Sequence, residues 1–305
     1  MTVDELRGRL RIPVIAAPMF LVSGVELVLE ACRAGVLGSF PSINARSVEE
    51  LEQWLQYLNA ELNEAEGAAP YAVNLIVRPE LSPRYAYDLA LIERYKPPVV
   101  ITSVGPPGDV AARVHDYGGL VFHDVASIRH AEKAIEQGVD GLILLTAGAG
   151  GHTGSANPFA FIPQVRRFWS GAIALAGGIA DGRAVKAAIT LGADFAYVGT
   201  RFAATQESLA NDAYRALLLS ETMADIIVTD RITGMKATFM RGSLVRAGLD
   251  PNALPPPKGF LQPDLPEESK AWRDIWSGGH GVGLIEDIPP VAELVARMAA
   301  AYDAA

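Results

Sequence analysis

The chain of 305 residues has a single cysteine, Cys32, so no disulfide framework can form within it. That poverty fits a reducing compartment, and a cytoplasmic location is expected. Cys32 sits in VELVLEACRAG and reads as a small apolar residue on a buried helix face rather than a nucleophile. No apolar run approaches the ~18 residues that would suggest a membrane span. The first ten residues, MTVDELRGRL, carry acidic groups and lack the apolar core of a secretion signal.

Basic clusters are also missing. The formal net charge is −9, and Arg166-Arg167 is the densest cationic pair, which argues against nucleic-acid and anionic-membrane partners. The five histidines stand at 115, 123, 130, 152 and 280, and no two have the H-x-x-x-H spacing of a helical zinc site, so no metal is expected. There is no GK[ST] phosphate loop and no G-x-S-x-G elbow. No G-x-G-x-x-G follows the first apolar run, which counts against a dinucleotide-binding open sheet.

What the sequence does hold is a beat. Eight short apolar runs recur: PVIAAP (13–18), VLGSF (36–40), YAVNLIV (71–77), PVVITSV (98–104), LVFHDV (120–125), GLILLT (141–146), AIALAGG (172–178) and FAYVG (195–199). They are continuous rather than alternating, as parallel strands covered on both faces should be. Between them lie helical segments with capping signals. Ser23, Ser47, Asp109, Ser127 and Asp181 are candidate openers, and Gly35, Gly118, Gly138 and Gly192 candidate stops. Eight βα units predict an α/β fold of the closed (β/α)8 TIM-barrel type. After VGTRF the beat changes. ESLANDAYRALLLSE (207–221) reads as a helix. DIIVTDRITGMKATFM (225–240) reads as two strands about a tight turn at Thr233-Gly234, and 250–268 is rich in Pro and Gly. The expected organisation is a barrel from 1–205 plus 275–305, with 206–274 a small inserted α/β domain over the mouth.

Ligands of such barrels sit where the strands end. Those ends carry Ala17-Pro18-Met19, Asn74, Thr102-Ser103, His123-Asp124, Gly177-Gly178 and Gly199-Thr200-Arg201, with His152 in the glycine loop AGAGGHTG (147–154). The mouth is short of carboxylates, Asp124 being the main one, which argues against a two-carboxylate glycosidase. Small residues after the seventh and eighth strands expose N–H donors, Thr200 offers a hydroxyl and Arg201 a cation, so these loops predict a phosphate cradle. An imidazole titrates near neutrality, which makes His152 the candidate general base or hydrogen-bond donor.

The motifs AAPM (16–19), Asn74, AGGHTG (149–154), ALAGGIADGR (174–183), LGADFAYVGTRFAATQES (191–208) and IWSGGHGVGLIEDIPP (275–290) closely resemble the nitronate monooxygenase family. That resemblance implies a flavin enzyme whose phosphorylated ligand is FMN. It places Ala17, Pro18, Met19 and Asn74 along the isoalloxazine ring and Gly177, Gly178, Gly199, Thr200 and Arg201 at the phosphate. His123, Ala149, Gly150, Gly151, Ala176 and Ser277 are further cofactor contacts by the same resemblance. His152 matches the family's active-site base, which takes the α-proton of a nitroalkane. The implied partners are a nitronate or nitroalkane and O2, and a homodimer is among the assemblies the reading allows.

Two departures stand out. PMFLVSG is bulkier than the pattern after the first strand, and Asp124 stands where some members carry a lysine. A carboxylate there would oppose an anionic reduced ring. Rival readings are an NAD(P)H:quinone or enoyl-thioester reductase of the same superfamily, an aldolase- or synthase-type barrel without flavin, and a non-catalytic flavin carrier.

Overall fold

The computed structural model describes residues 1–257 and 264–305. Part of the Pro- and Gly-rich stretch, and of the segment 206–274, therefore lies outside the described residues. All eight apolar runs form strands: β1 (Val14–Ala16), β2 (Gly38–Pro41), β3 (Tyr71–Ile76), β4 (Val99–Ser103), β5 (Leu120–Val125), β6 (Gly141–Leu145), β7 (Ala172–Ala176) and β8 (Phe195–Val198). Consecutive strands from β2 to β8 pair in parallel, and β8 pairs with β1. A bridge between Ile15 and Leu37, with the Ala16 N–H donating to Leu37 O at 2.8 Å, closes the ring. The expected (β/α)8 TIM barrel is the fold.

Strand side chains alternate between two faces. Ile15, Ala72, Ile101, Phe122, Ile143, Ala174 and Phe195 point inward and fill the barrel. Helix Val3–Gly8 closes its floor with the fully buried Leu6. Val73, Val100, Val121, Leu142 and Ile173 point outward and pack under the helices. Both faces are apolar, which is why the runs looked continuous.

The capping signals divide. Ser47, Ser127 and Asp181 accept hydrogen bonds from the first turns of helices Val48–Glu64, Ile128–Glu136 and Gly182–Thr190. Ser23 does not cap. Its hydroxyl donates to Ala17 O and accepts from Met19 N–H, and Gly24 is the N-cap of helix Val25–Arg33. Asp109 lies inside helix Gly108–Asp116, whose N-cap is Pro107. Gly35, Gly118, Gly138 and Gly192 all adopt positive φ, as stops should. Cys32 is buried in helix Val25–Arg33, where burial pushes its thiol up to about 12 and leaves it inert.

Beyond the barrel, helix Asp212–Ser220 precedes two antiparallel strands, β9 (Ile226–Thr229) and β10 (Ala237–Met240). Their connection is the seven-residue loop 230–236 and not a tight turn. Ile232, Ala237, Phe239, Leu244 and Ile275 form a separate small core there.

Helix Gly182–Thr190 approaches the final helix, Val291–Asp303, at its first residue. A Cβ on Gly182 would run into the Met298 carbonyl and the Tyr302 amide. Both are backbone atoms, so the two helices would have to part. Gly182→Ala is expected to lower stability by about 1–3 kcal/mol, the range for overpacking, read as a lowered denaturation midpoint. An unchanged midpoint would show that this contact yields.

Candidate functional site

The C-terminal ends of the strands open into one cavity of about 630 Å³. From β1 and its loop come Ala17, Pro18 and Met19; from β3, Asn74; from the loop after β6, Ala149, Gly150, Gly151 and His152. Ala176, Gly177 and Gly178 end β7, Gly199, Thr200 and Arg201 follow β8, and Ser277 arrives from the tail motif. Fifteen of the sixteen residues expected at the site thus line a single space.

His123 is the exception. It follows Phe122, which fills the barrel, so its own side chain points outward to the helix layer. There its Nδ1 meets Thr102 Oγ1 at 2.8 Å, and burial lowers its pKa to about 4. His123 is a neutral residue of the outer layer and does not face the cavity. Its neighbour Asp124 does.

The phosphate-cradle expectation meets a specific geometry. Gly177 has φ +132°, and a Cβ there would strike Thr146 Oγ1. Gly178 has φ +70°, and nothing lies within 4 Å of where its Cβ would stand. Both values favour glycine. Thr200 Oγ1 accepts from Gly279 N–H at 2.9 Å, which ties the β8 loop to the tail motif. Thr200 and Arg201 open the short helix Thr200–Ala203, so their N–H groups have no partner within it.

Arg201 itself is placed otherwise than expected. Its side chain is 6% exposed and its Nη2 pairs with Asp287 at 2.7 Å, while Nη1 donates to Ala204 O at 3.0 Å. The guanidinium is committed to the tail segment, and what this residue offers the cavity is backbone.

The glycine loop carrying His152 is clamped. Ser277 Oγ accepts from Gly151 N–H at 2.7 Å and lies 3.1 Å from Thr238 Oγ1, which donates to Ala149 O at 3.1 Å. Thr238 N–H reaches Gly151 O at 3.0 Å, and Thr153 N–H reaches Lys236 O at 3.2 Å. The loop is thereby added as an edge to β10. Trp272 stands edge-on to His152, with ring centroids 5.5 Å apart and planes at 87°. His152 Nε2 is shielded from water and has no hydrogen-bond partner among the described residues. Burial alone lowers its pKa, so the imidazole is neutral at pH 7 and can accept a proton.

Thr238 and Trp272 were not legible as site residues, because they come from the added segment and no motif marks them. Trp272 has φ +69°, a rare conformation for a bulky residue and one that concentrates at functional sites. Tyr197, by contrast, follows from strand alternation: two residues after the inward Phe195, it stands in the cavity wall.

Comparison with known proteins bears on this site. The nitronate monooxygenase family profile matches residues 7–300. A nitronate monooxygenase of Paraburkholderia phytofirmans is 28% identical over 94% of this chain and 91% of its own length. Among solved structures, FabK from Thermotoga maritima superposes with a TM-score of 0.78 at 25% identity, covering 99% of this chain and 96% of the other. A nitroalkane oxidase from Streptomyces ansochromogenes gives a TM-score of 0.81 at 23% identity over 98% of both chains and shares the fold.

Proposed function

The chain belongs to the nitronate monooxygenase family, and from that premise we propose that it oxidises alkyl nitronates with O2 to carbonyl compounds and nitrite, using FMN. The observation that carries this reading is the meeting, in one cavity, of a glycine cradle at β7 and β8 with an unpartnered neutral imidazole.

The residues fit the cofactor. The open space at Gly178 and the N–H groups after β8 suit an anionic terminus. Ala17, Pro18, Met19 and Asn74 offer a mostly apolar wall to the ring. Bound there, FMN would supply the electron-transfer chemistry. The protein's part is to hold the substrate in the apolar mouth and move one proton. A nitronate arrives already deprotonated. A neutral nitroalkane gives its α-proton to Nε2 of His152, which burial keeps in the basic form. We read 206–274 as an added unit over the mouth, since Met235, Lys236 and Trp272 line the cavity from it. No helix among the described residues is long and apolar enough to cross a membrane, and we place the enzyme in the cytoplasm.

The rival reading is a flavin-dependent reductase fed by NAD(P)H. Oxygen consumption with propionate 3-nitronate and ethylnitronate, run beside NADH oxidation, separates the two. We expect oxygen uptake with equivalent nitrite release and slow NADH oxidation. Rapid NADH oxidation without nitronate turnover would transfer the protein to the reductases.

A further inference from the structure

On the wall opposite the glycine cradle three adjacent strands are joined by a chain of hydrogen bonds. Asn74 Nδ2 on β3 donates to Ser103 Oγ on β4 at 2.7 Å and to Ile101 O at 3.1 Å. Ser103 Oγ donates to Asp124 Oδ2 on β5 at 2.7 Å. Both amide hydrogens of Asn74 are thereby committed, and its Oδ1 is the atom left to offer a ligand. Strand parity puts all three side chains on the inner face, and all three line the cavity.

Asp124 ends this chain in an unusual state. Its Oδ1 is shielded from water and has no hydrogen-bond partner among the described residues. An ionised carboxylate would leave that oxygen's charge without compensation, so burial favours the neutral acid. Burial raises its pKa to about 6, with the Ser103 bond opposing. The other titratable or charged side chains around the cavity are His130, His152, Tyr197, Arg201, Tyr214 and Lys236. Arg201 is spent on Asp287, and burial holds the phenols of Tyr197 and Tyr214 neutral. Burial likewise keeps His152 neutral. Asp124 is therefore the buried group of this wall poised to change charge just below neutral pH.

We propose that Asp124, held by the Asn74–Ser103 relay, takes up a proton when the cofactor beside it is reduced, and so makes the flavin potential depend on pH through this one carboxyl. The inference rests on the FMN reading given above. Two electrons from an electrode or chemical reductant, taken up with one proton, would leave a bound ring with a net negative charge. That charge would share the cavity that Asp124 lines, and the repulsion would raise the carboxyl's proton affinity. Above the pKa of the oxidised state a second proton, drawn from solvent, then accompanies the electron pair and is lost again on reoxidation. One extra proton per electron pair changes the equilibrium constant tenfold per pH unit, equivalent to about 30 mV for a two-electron couple.

The test is spectroelectrochemical titration of the FMN-loaded protein between pH 5 and 9, for wild type and Asp124→Asn. The wild-type potential should fall more steeply above about pH 6, by the additional tenfold per unit. The variant should lack that steep region and be at least tenfold easier to reduce at pH 8. Ser103→Ala is the second variant. It removes the donor that favours the ionised form, so the break should move to higher pH while Asp124 remains. Parallel curves for all three flavin-loaded proteins would overturn the inference and leave the FMN reading standing. A wild-type chain that does not bind FMN, read by flavin fluorescence, would overturn both.

Discussion

Replacing His152 with alanine is expected to lower kcat/KM for neutral nitroalkanes by about 10²–10⁴-fold, the usual worth of a positioned general base. The same variant should lose far less with pre-formed nitronates, because their proton has already gone. The contrast is the useful result, since a histidine that merely supports the loop would depress both substrates together. The clamp on that loop makes the separation realistic. Gly151 is bonded through its N–H to Ser277 and through its carbonyl to Thr238, and neither bond uses the imidazole. Trp272 packs against the ring edge-on, so alanine leaves a gap beside an aromatic without unpairing a backbone group.

The pH profile gives the same step a second reading. Burial lowers the His152 pKa from 6.5, so the basic form persists to more acidic pH than a solvated imidazole would allow. Nitroalkane turnover should therefore hold as pH falls through 6.5 and drop only below it. Asp124 titrates in the same region, near 6. The profile is best measured in Asp124→Asn as well, where any limb that remains belongs to the imidazole. A limb at or above pH 6.5 in both proteins would place His152 in water and count against its role as the buried base.

How much of this could be read from the chain alone follows from what kind of signal each part leaves. The barrel was legible because its strands are apolar on both faces, and eight such runs have few other arrangements. The glycine turn after β7 was legible because positive φ at Gly177 and Gly178 demands glycine. His123 and Arg201 were misplaced for different reasons. His123 sits at the right height on β5 but on the wrong side, and the period of two that decides this is masked when both faces are apolar. The cue lay in its neighbour: Phe122 fills the barrel, so Asp124 must face the same way. Arg201 follows β8 at the right place, yet its partner Asp287 is 86 residues away in sequence, a distance over which no local pattern speaks. Thr238 and Trp272 reach the site from the added segment by the same kind of long-range contact.

Gly178→Leu should abolish tight FMN binding, with an expected loss of at least about 100-fold, or ~2.7 kcal/mol at 1.36 kcal/mol per decade. Most glycines of the site would be poor places to ask this question. A side chain at Gly177 would strike Thr146 Oγ1, and one at Gly279 would come within 2.7 Å of Gly148 O and 2.9 Å of Gly150 N. Losses there would mix binding with folding. Gly178 differs because its Cβ would enter open space within the cavity wall. The penalty to the fold is then confined to φ +70°, about 1–2 kcal/mol for a residue with a Cβ. A leucine side chain would occupy the space proposed for the anionic end of the cofactor and replace an approachable backbone with hydrocarbon. The protein should remain folded by circular dichroism, with a modestly lowered midpoint, yet fail to quench FMN fluorescence. Retention of wild-type affinity in a folded Gly178→Leu protein would mean that the phosphate lies elsewhere, and the β7 turn would lose its place in the site.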